Sequence, residues 1–163
     1  MSLLPLSFYL RNDVVEIARD LLGKYLITNI DGVYTSGIIT ETEAYAGISD
    51  RASHAFNNRR TARNEIMYSK GGCAYVYLCY GMHYLFNIVT NEIDIPHAVL
   101  IRGIKPVEGI EQMKVRTNKI HNSKNLSNGP GKLTKALGID MKQNGVSLFN
   151  SSIKIEDRKL KIN

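Results

Sequence analysis

The sequence predicts a single mixed α+β domain built on a mostly antiparallel sheet. Three patterns carry the mixed, antiparallel part of that expectation. Residues 24–28 and 33–42 are apolar, strand-like runs joined through Asn29-Ile30-Asp31-Gly32, and an Asp-Gly pair favours a tight hairpin. Residues 74–80 and 84–90 are a second such pair, rich in tyrosine and β-branched side chains, turning at Gly81. Val14, Ile17, Ala18, Leu21 and Leu22 recur at helical spacing, so an apolar stripe is available to lie on the sheet.

Taken in order, residues 4–9 are a short lead-in, and Asn12 or Asp13 caps the helix that Gly23 ends. The first hairpin follows. Residues 46–63 form a polar loop with Gly47, Asp50, His54 and four arginines, Arg51, Arg59, Arg60 and Arg63; a segment this polar is expected outside the core. One helical turn over residues 64–68 precedes the aromatic hairpin. Residues 97–105 read as another strand, with Arg102 inside the apolar run V-L-I-R-G-I, where a buried guanidinium needs a partner. A helix is expected over residues 107–117, after Pro106, and a basic loop over residues 118–128. A short helix over residues 132–137 is entered through Gly129-Pro130-Gly131, either a plain turn or a cradle of backbone N–H groups for a phosphate. Residues 147–149 and 153–155 are late strands before a charged tail.

At 163 residues, 44% apolar and 22% charged, the chain has the makeup of one ordinary globular domain. No apolar run reaches the ~18 residues of a membrane span, and the N-terminus lacks a secretory pattern. An intracellular protein is expected, with no membrane partner. Cys73 and Cys79 on one extended strand lie ~20 Å apart, beyond disulfide reach, and two thiols without a His-x-x-His spacing make no zinc site. The net charge of +6 is uneven: residues 1–100 hold 8 Lys/Arg against 10 Asp/Glu, and residues 101–163 hold 13 against 5. Such asymmetry suits a polyanionic partner and equally a solvated basic surface.

The chemistry concentrates in two stretches. In T-E-T-E-A-Y, Glu41, Glu43 and Tyr45 share one face of a strand, a carboxylate beside an aromatic ring. In the second hairpin Tyr75 and Tyr77 share a parity, with Tyr80 at the turn. Aromatic rings sandwich a flat heterocycle and a carboxylate activates water, the ingredients of an enzyme that extrudes a nucleobase. Tyrosines in strands also serve as plain core packing, and pattern alone leaves both readings open.

The stretches E-T-E-A-Y (residues 41–45), D-R-A-S-H (50–54), A-R-N-E-I-M (62–67) and Y-V-Y-L-C-Y-G-M-H-Y-L-F-N-I-V (75–89) resemble the 3-methyladenine (alkyladenine) DNA glycosylase family. So do V-L-I-R-G-I-K-P-V-E-G (99–109) and G-P-G-K-L-T-K-A-L-G-I (129–139), collinear from about residue 6 to about residue 155. The resemblance implies a fold like that of formyltransferase C-terminal domains, a curved sheet with helices surrounding it and a β-hairpin protruding to intercalate in DNA, in a protein that is cytoplasmic and nucleoid-associated if bacterial. It implies a monofunctional enzyme, without metal or cofactor, acting as a monomer on double-stranded DNA containing damaged purines. Glu43 would be the general base that deprotonates the attacking water, and Arg102 would help place that water and a nearby phosphate. Tyr45 and Tyr77 would stack on the extruded base, His54 would touch its edge, and Asn87 would guard the pocket floor against normal guanine. Tyr80 would fill the gap left in the duplex. Glu41 is read as structural.

Members of that family continue beyond the last strand into a segment rich in R-I-G-x-x-x-A, which this sequence, ending at Asn163, does not contain. The expectation is therefore a single domain over residues 1–163 lacking that segment. Two other functions stay open: a truncated module that holds distorted nucleic acid without chemistry, and a small-molecule hydrolase using the Glu41/Glu43 pair.

Overall fold

A computed structural model describes residues 2–119 and 125–159. The strands are β1 (Ser2–Leu3), β2 (Tyr25–Ile30), β3 (Val33–Tyr45), β4 (Ala74–Cys79), β5 (His83–Thr90), β6 (His97–Glu108) and β7 (Ile153–Asp157). The helices are α1 (Leu6–Tyr9), α2 (Val14–Leu21), α3 (Ile110–Thr117) and α4 (Pro130–Leu137). All seven strands join one sheet in the order β1-β7-β2-β3-β6-β5-β4, and each neighbouring pair is antiparallel. The mixed, antiparallel architecture expected from the two hairpins and the amphipathic helix is the one observed, and the sheet is curved, as the resemblance implies.

Asp13 caps α2: its carboxylate accepts from the backbone N–H groups of Val15 and Glu16, both at 3.0 Å. The helix buries Val14, Ile17, Ala18 and Leu21, and they pack on one face of the sheet with Leu133 and Leu137 of α4; Leu22, also expected in the stripe, is exposed because the helix ends at Leu21 and Leu22 is its C-cap. Leu26, Ile39, Phe86, Ile88 and Ile101 complete this core from the strands. On the opposite face a smaller cluster forms where Ala55, Met67 and Tyr68 of the 46–72 segment cover Tyr75, Val89 and Ala98. The sheet is thus covered on both sides at its β6-β5-β4 end.

Both hairpins turn as their residues dictate. Asp31 and Gly32 have positive φ between β2 and β3, as do Tyr80 and Gly81 between β4 and β5. Three register shifts interrupt the pairing of β3 with β6, at Ser36/Gly37, Ile39/Glu41 and Glu41/Thr42, and bulges of this kind bend a sheet.

Several boundaries differ from the sequence expectation. β6 runs through Pro106 to Glu108, where a helix was expected, because Gly37 pairs with Pro106 and Ser36 with Glu108. The Ser36 hydroxyl and Arg158 hold the Glu108 carboxylate there. Gly109 then turns with φ +74°, and a Cβ at that position would collide with the Tyr34 carbonyl oxygen, so α3 starts only at Ile110. Residues 147–149 form one isolated bridge, Ser147 to Cys73, in place of a strand, because the Ser147 hydroxyl accepts the Phe149 N–H and folds the chain into a turn. The lead-in is shaped: β1 pairs with β7 and α1 follows. Part of the basic loop, residues 120–124, and the end of the charged tail, residues 160–163, lie outside the described residues.

Asp13→Ala removes the acceptor for two N–H groups and is expected to lower the unfolding free energy by about 1 kcal/mol. Urea titration followed by circular dichroism, with an unchanged slope and a lower midpoint, measures it.

Candidate active site

Strand register brings the separated motifs into one line. Glu43 on β3 pairs with Leu100 on β6, Leu100 with Asn87 on β5, and Asn87 with Tyr75 on β4. Directly opposed residues share a face, so four strands deliver these four side chains to the same side of the sheet. Alternation adds Tyr45 beside Glu43 and Tyr77 beside Tyr75. Strands β3 and β4 stand three spacings apart, roughly 14 Å, with β6 and β5 flooring the gap.

Glu43 is half-exposed and held at both oxygens. Arg102 Nη1 lies 2.9 Å from Oε1, and the Tyr45 hydroxyl donates to Oε2 at 2.8 Å. Arg102 was expected to be buried within its apolar run. Its side chain is 40% exposed, because β6 alternates and the Glu43 face stays open at this point. It also occupies the register shift, between Ile101 paired with Thr42 and Gly103 paired with Glu41, so the bulge re-aims it at the carboxylate. The Tyr45 phenol is pushed well above its usual range, chiefly by burial and next by the carboxylate that accepts its proton. It therefore remains a neutral donor. Glu41 is set apart: it is exposed and packs its side chain over Gly103, so the paired-carboxylate arrangement has no support in this geometry.

Tyr45, Ala52, His54, Met67, Tyr75, Tyr77 and Asn87 enclose a cavity of about 30 Å³ beside Glu43. That is room for about one water molecule and far too little for a purine. His54 and Tyr77 meet edge-on with centroids 4.5 Å apart, and Tyr77 leans on Tyr75 at 5.4 Å. Asn87 is buried at the floor and donates from Nδ2 to the Tyr75 carbonyl at 3.3 Å. His54 presents Nδ1 to the Tyr75 hydroxyl at 2.9 Å, and its pKa is lowered by burial and by the Arg63 charge. Tyr75 is absent from the residues singled out by resemblance, although its parity with Tyr77 marked it.

The 46–63 segment is more ordered than its polarity suggests. Ala55 is fully buried, and buried Asn64 staples the loop, donating to the carbonyls of His54 (3.1 Å) and Arg59 (2.7 Å) and accepting from the Thr61 N–H (2.8 Å). Of its four arginines, Arg60 is structural, paired with Glu65 and Asp94 and lying over the Tyr68 ring. Arg51, Arg59 and Arg63 line an open cleft of about 630 Å³ that adjoins the cavity at His54 and Tyr75. Arg63 lies 5.8 Å over Tyr77 and donates to the Leu78 carbonyl.

Tyr80 stands at the hairpin tip, 94% exposed, with φ +51°. A bulky residue in the left-handed region costs about 1–2 kcal/mol relative to an ordinary conformation. Exposed Met82 follows it in the turn and Leu78 precedes it on β4. Both cysteines are free, and among the described residues no group of three or more His, Cys, Asp or Glu could hold a metal ion. No helix among them is long and apolar enough to cross a membrane.

Comparison with known proteins gives a consistent result. A family described as methylpurine-DNA glycosylase matches residues 7–163. A Chlamydia abortus protein named "Putative 3-methyladenine DNA glycosylase" is 51% identical over 158 residues, covering 96% of this chain and 83% of its own. A Chlamydia felis protein of the same name is 50% identical, covering 97% and 82%. One from Bacillus cereus, also of that name, is 49% identical over 157 residues, covering 93% and 76%.

Asn64→Ala leaves two carbonyls and one N–H without their partner, and is expected to cost about 1–3 kcal/mol. The loss should localise: hydrogen exchange at residues 53–61 accelerates before that of the central strands.

Proposed function

Because the chain belongs to the methylpurine-DNA glycosylase family, we propose that it hydrolyses the N-glycosidic bond of alkylated or deaminated purines flipped out of duplex DNA. The substrates we assign are 3-methyladenine, hypoxanthine and ethenoadenine. The observation that carries this reading is a carboxylate fixed at both oxygens on the rim of an aromatic cavity.

In this reading water attacks C1′ of the flipped nucleotide and Glu43 takes its proton. The C1′–N bond breaks and its electron pair leaves with the purine. An alkylated purine that already carries a positive ring charge departs as a neutral base, so one carboxylate suffices for it; hypoxanthine and ethenoadenine depart as anions and take back, from protonated Glu43, the proton that water gave up. Arg102 and the Tyr45 hydroxyl hold Glu43 in one orientation, and each carboxylate oxygen retains lone-pair capacity for the water. Tyr45 and Tyr77 grip the base from the two ends of the four-strand floor, His54 meets its edge, and Asn87 limits what the floor admits. Since the cavity is smaller than a purine, the His54–Tyr77 contact must open to receive the base. Tyr80 supplies the wedge, its ring already turned away from the protein. Water as nucleophile leaves the sugar–phosphate backbone intact, so base release occurs without strand nicking. The enzyme acts as a monomeric single domain.

Glu43→Gln keeps the shape of the side chain and removes the base. Release from duplexes carrying each lesion, followed by mass spectrometry, is expected to fall by about 10²–10⁴-fold while lesion binding persists. A variant that turns over like the parent excludes the mechanism. Binding by the parent without release at any pH would leave a nucleic-acid-binding role in its place. Tyr80→Ala is expected to weaken duplex binding by about 1–3 kcal/mol, read from gel-shift titrations.

A further inference from the structure

The hydrogen bond between Tyr75 and His54 carries information about the charge of the pocket. Tyr75 is 1% exposed, and burial pushes its phenol far above the usual range, so its hydroxyl proton is always present. Among the described residues that hydroxyl has a single polar partner, His54 Nδ1 at 2.9 Å. A buried hydroxyl proton left without an acceptor is costly, so Tyr75 donates and Nδ1 accepts. A neutral imidazole whose Nδ1 accepts carries its proton on Nε2. The exposed remainder of the ring belongs to the wall shared by the cavity and the arginine-lined cleft.

Charging His54 would place a proton on Nδ1 as well. The Tyr75 hydroxyl would have to turn and strand its own proton in the interior. The other groups facing this histidine oppose the change or are indifferent to it. Arg63 from the same loop repels a cation, Arg51 and Arg59 line the adjoining cleft, Tyr77 is an uncharged ring at 4.5 Å, and the Asn64 amide is committed to the His54 carbonyl. Across the cavity stands the Tyr45 phenol, its hydrogen bond already donated to the Glu43 carboxylate.

We propose that Tyr75 is a positioning residue that, acting through His54, keeps the wall of the base pocket uncharged and presenting an Nε2–H donor, so that a cationic purine enters without meeting a like charge. This rests on the glycosylase reading above. It separates lesions by charge: 3-methyladenine in DNA carries a positive ring, hypoxanthine does not. An imidazolium in this wall would penalise only the first.

Two measurements test it. Nitrogen-15 spectra of the full chain should show His54 as the Nε2–H tautomer, and Tyr75→Phe should raise its titration midpoint by about one pH unit. Base release is then followed from pH 5 to 8 on dimethyl-sulfate-treated duplex, for 3-methyladenine, and on a hypoxanthine duplex. Taking the ratio of the two rates cancels whatever pH dependence both reactions share. In Tyr75→Phe the ratio of 3-methyladenine to hypoxanthine release should fall, relative to the parent, below the new midpoint and level off at roughly one tenth, the factor that a one-unit shift allows. His54→Gln, which cannot charge, should show no such fall. An Nδ1–H tautomer in the parent, an unmoved midpoint in Tyr75→Phe, or superimposable ratio profiles for Tyr75→Phe and the parent would overturn the proposal. If the parent releases neither base, the glycosylase reading fails, while the spectra still decide whether Tyr75 governs His54.

Discussion

Antiparallel register across four strands is the constraint on which the rest of the site depends. Glu43, Leu100, Asn87 and Tyr75 are far apart in the chain, yet ladder pairing alone sets them side by side. A one-residue slip between β5 and β6 would send Asn87 to the helix-covered face and pull a core residue such as Ile88 into the cavity. Apolar burial under α2 and α4 prevents that slip. The helices therefore fix the geometry of a face they never touch, and the packing energy of one side of the sheet supports the polar arrangement on the other.

That arrangement is closed in an informative way. Glu43 is gripped at both oxygens, His54 and Tyr77 are in ring contact, and Asn87 is buried against the strand beside it. The carboxylate and floor are parts of the sheet, whereas the His54 side of the cavity belongs to the 46–72 segment. Asn64 ties this segment through hydrogen bonds and not through a large apolar core, so it is the cheaper part of the site to displace. In the proposed reading the chemistry then sits on strands and the wall that admits the base on a stapled loop, two kinds of structure for two requirements.

Much of this was legible in the residues themselves. The Asp-Gly and Tyr-Gly turns, the helical stripe of α2 and the shared parity of Glu43 with Tyr45 follow from local periodicity, and local periodicity survives folding. What escaped depends on distant partners. The extension of β6 past Pro106 requires Ser36 and Arg158, and the partial exposure of Arg102 requires an open face at a bulge. The order of the polar loop requires one asparagine bonding to three backbone groups. Tyr75 looked like any buried strand tyrosine, because nothing in its neighbourhood of sequence announces a histidine twenty-one positions away. The family resemblance supplied the remaining roles, and it did so through residues whose side chains meet at the cavity or the hairpin tip.

The conformation of Tyr80 sets the hairpin at odds with the durability of the fold. Glycine or asparagine would sit at φ +51° with less strain, and a polar side chain would be better tolerated in water than a fully presented phenol ring. Engineering for shelf life alone would accordingly begin by replacing this residue, and would gain both solubility and melting temperature. The same change would remove the exposed ring on which the proposed wedge depends, so thermostabilised versions of this protein are best sought elsewhere, on the α2 surface or around β7.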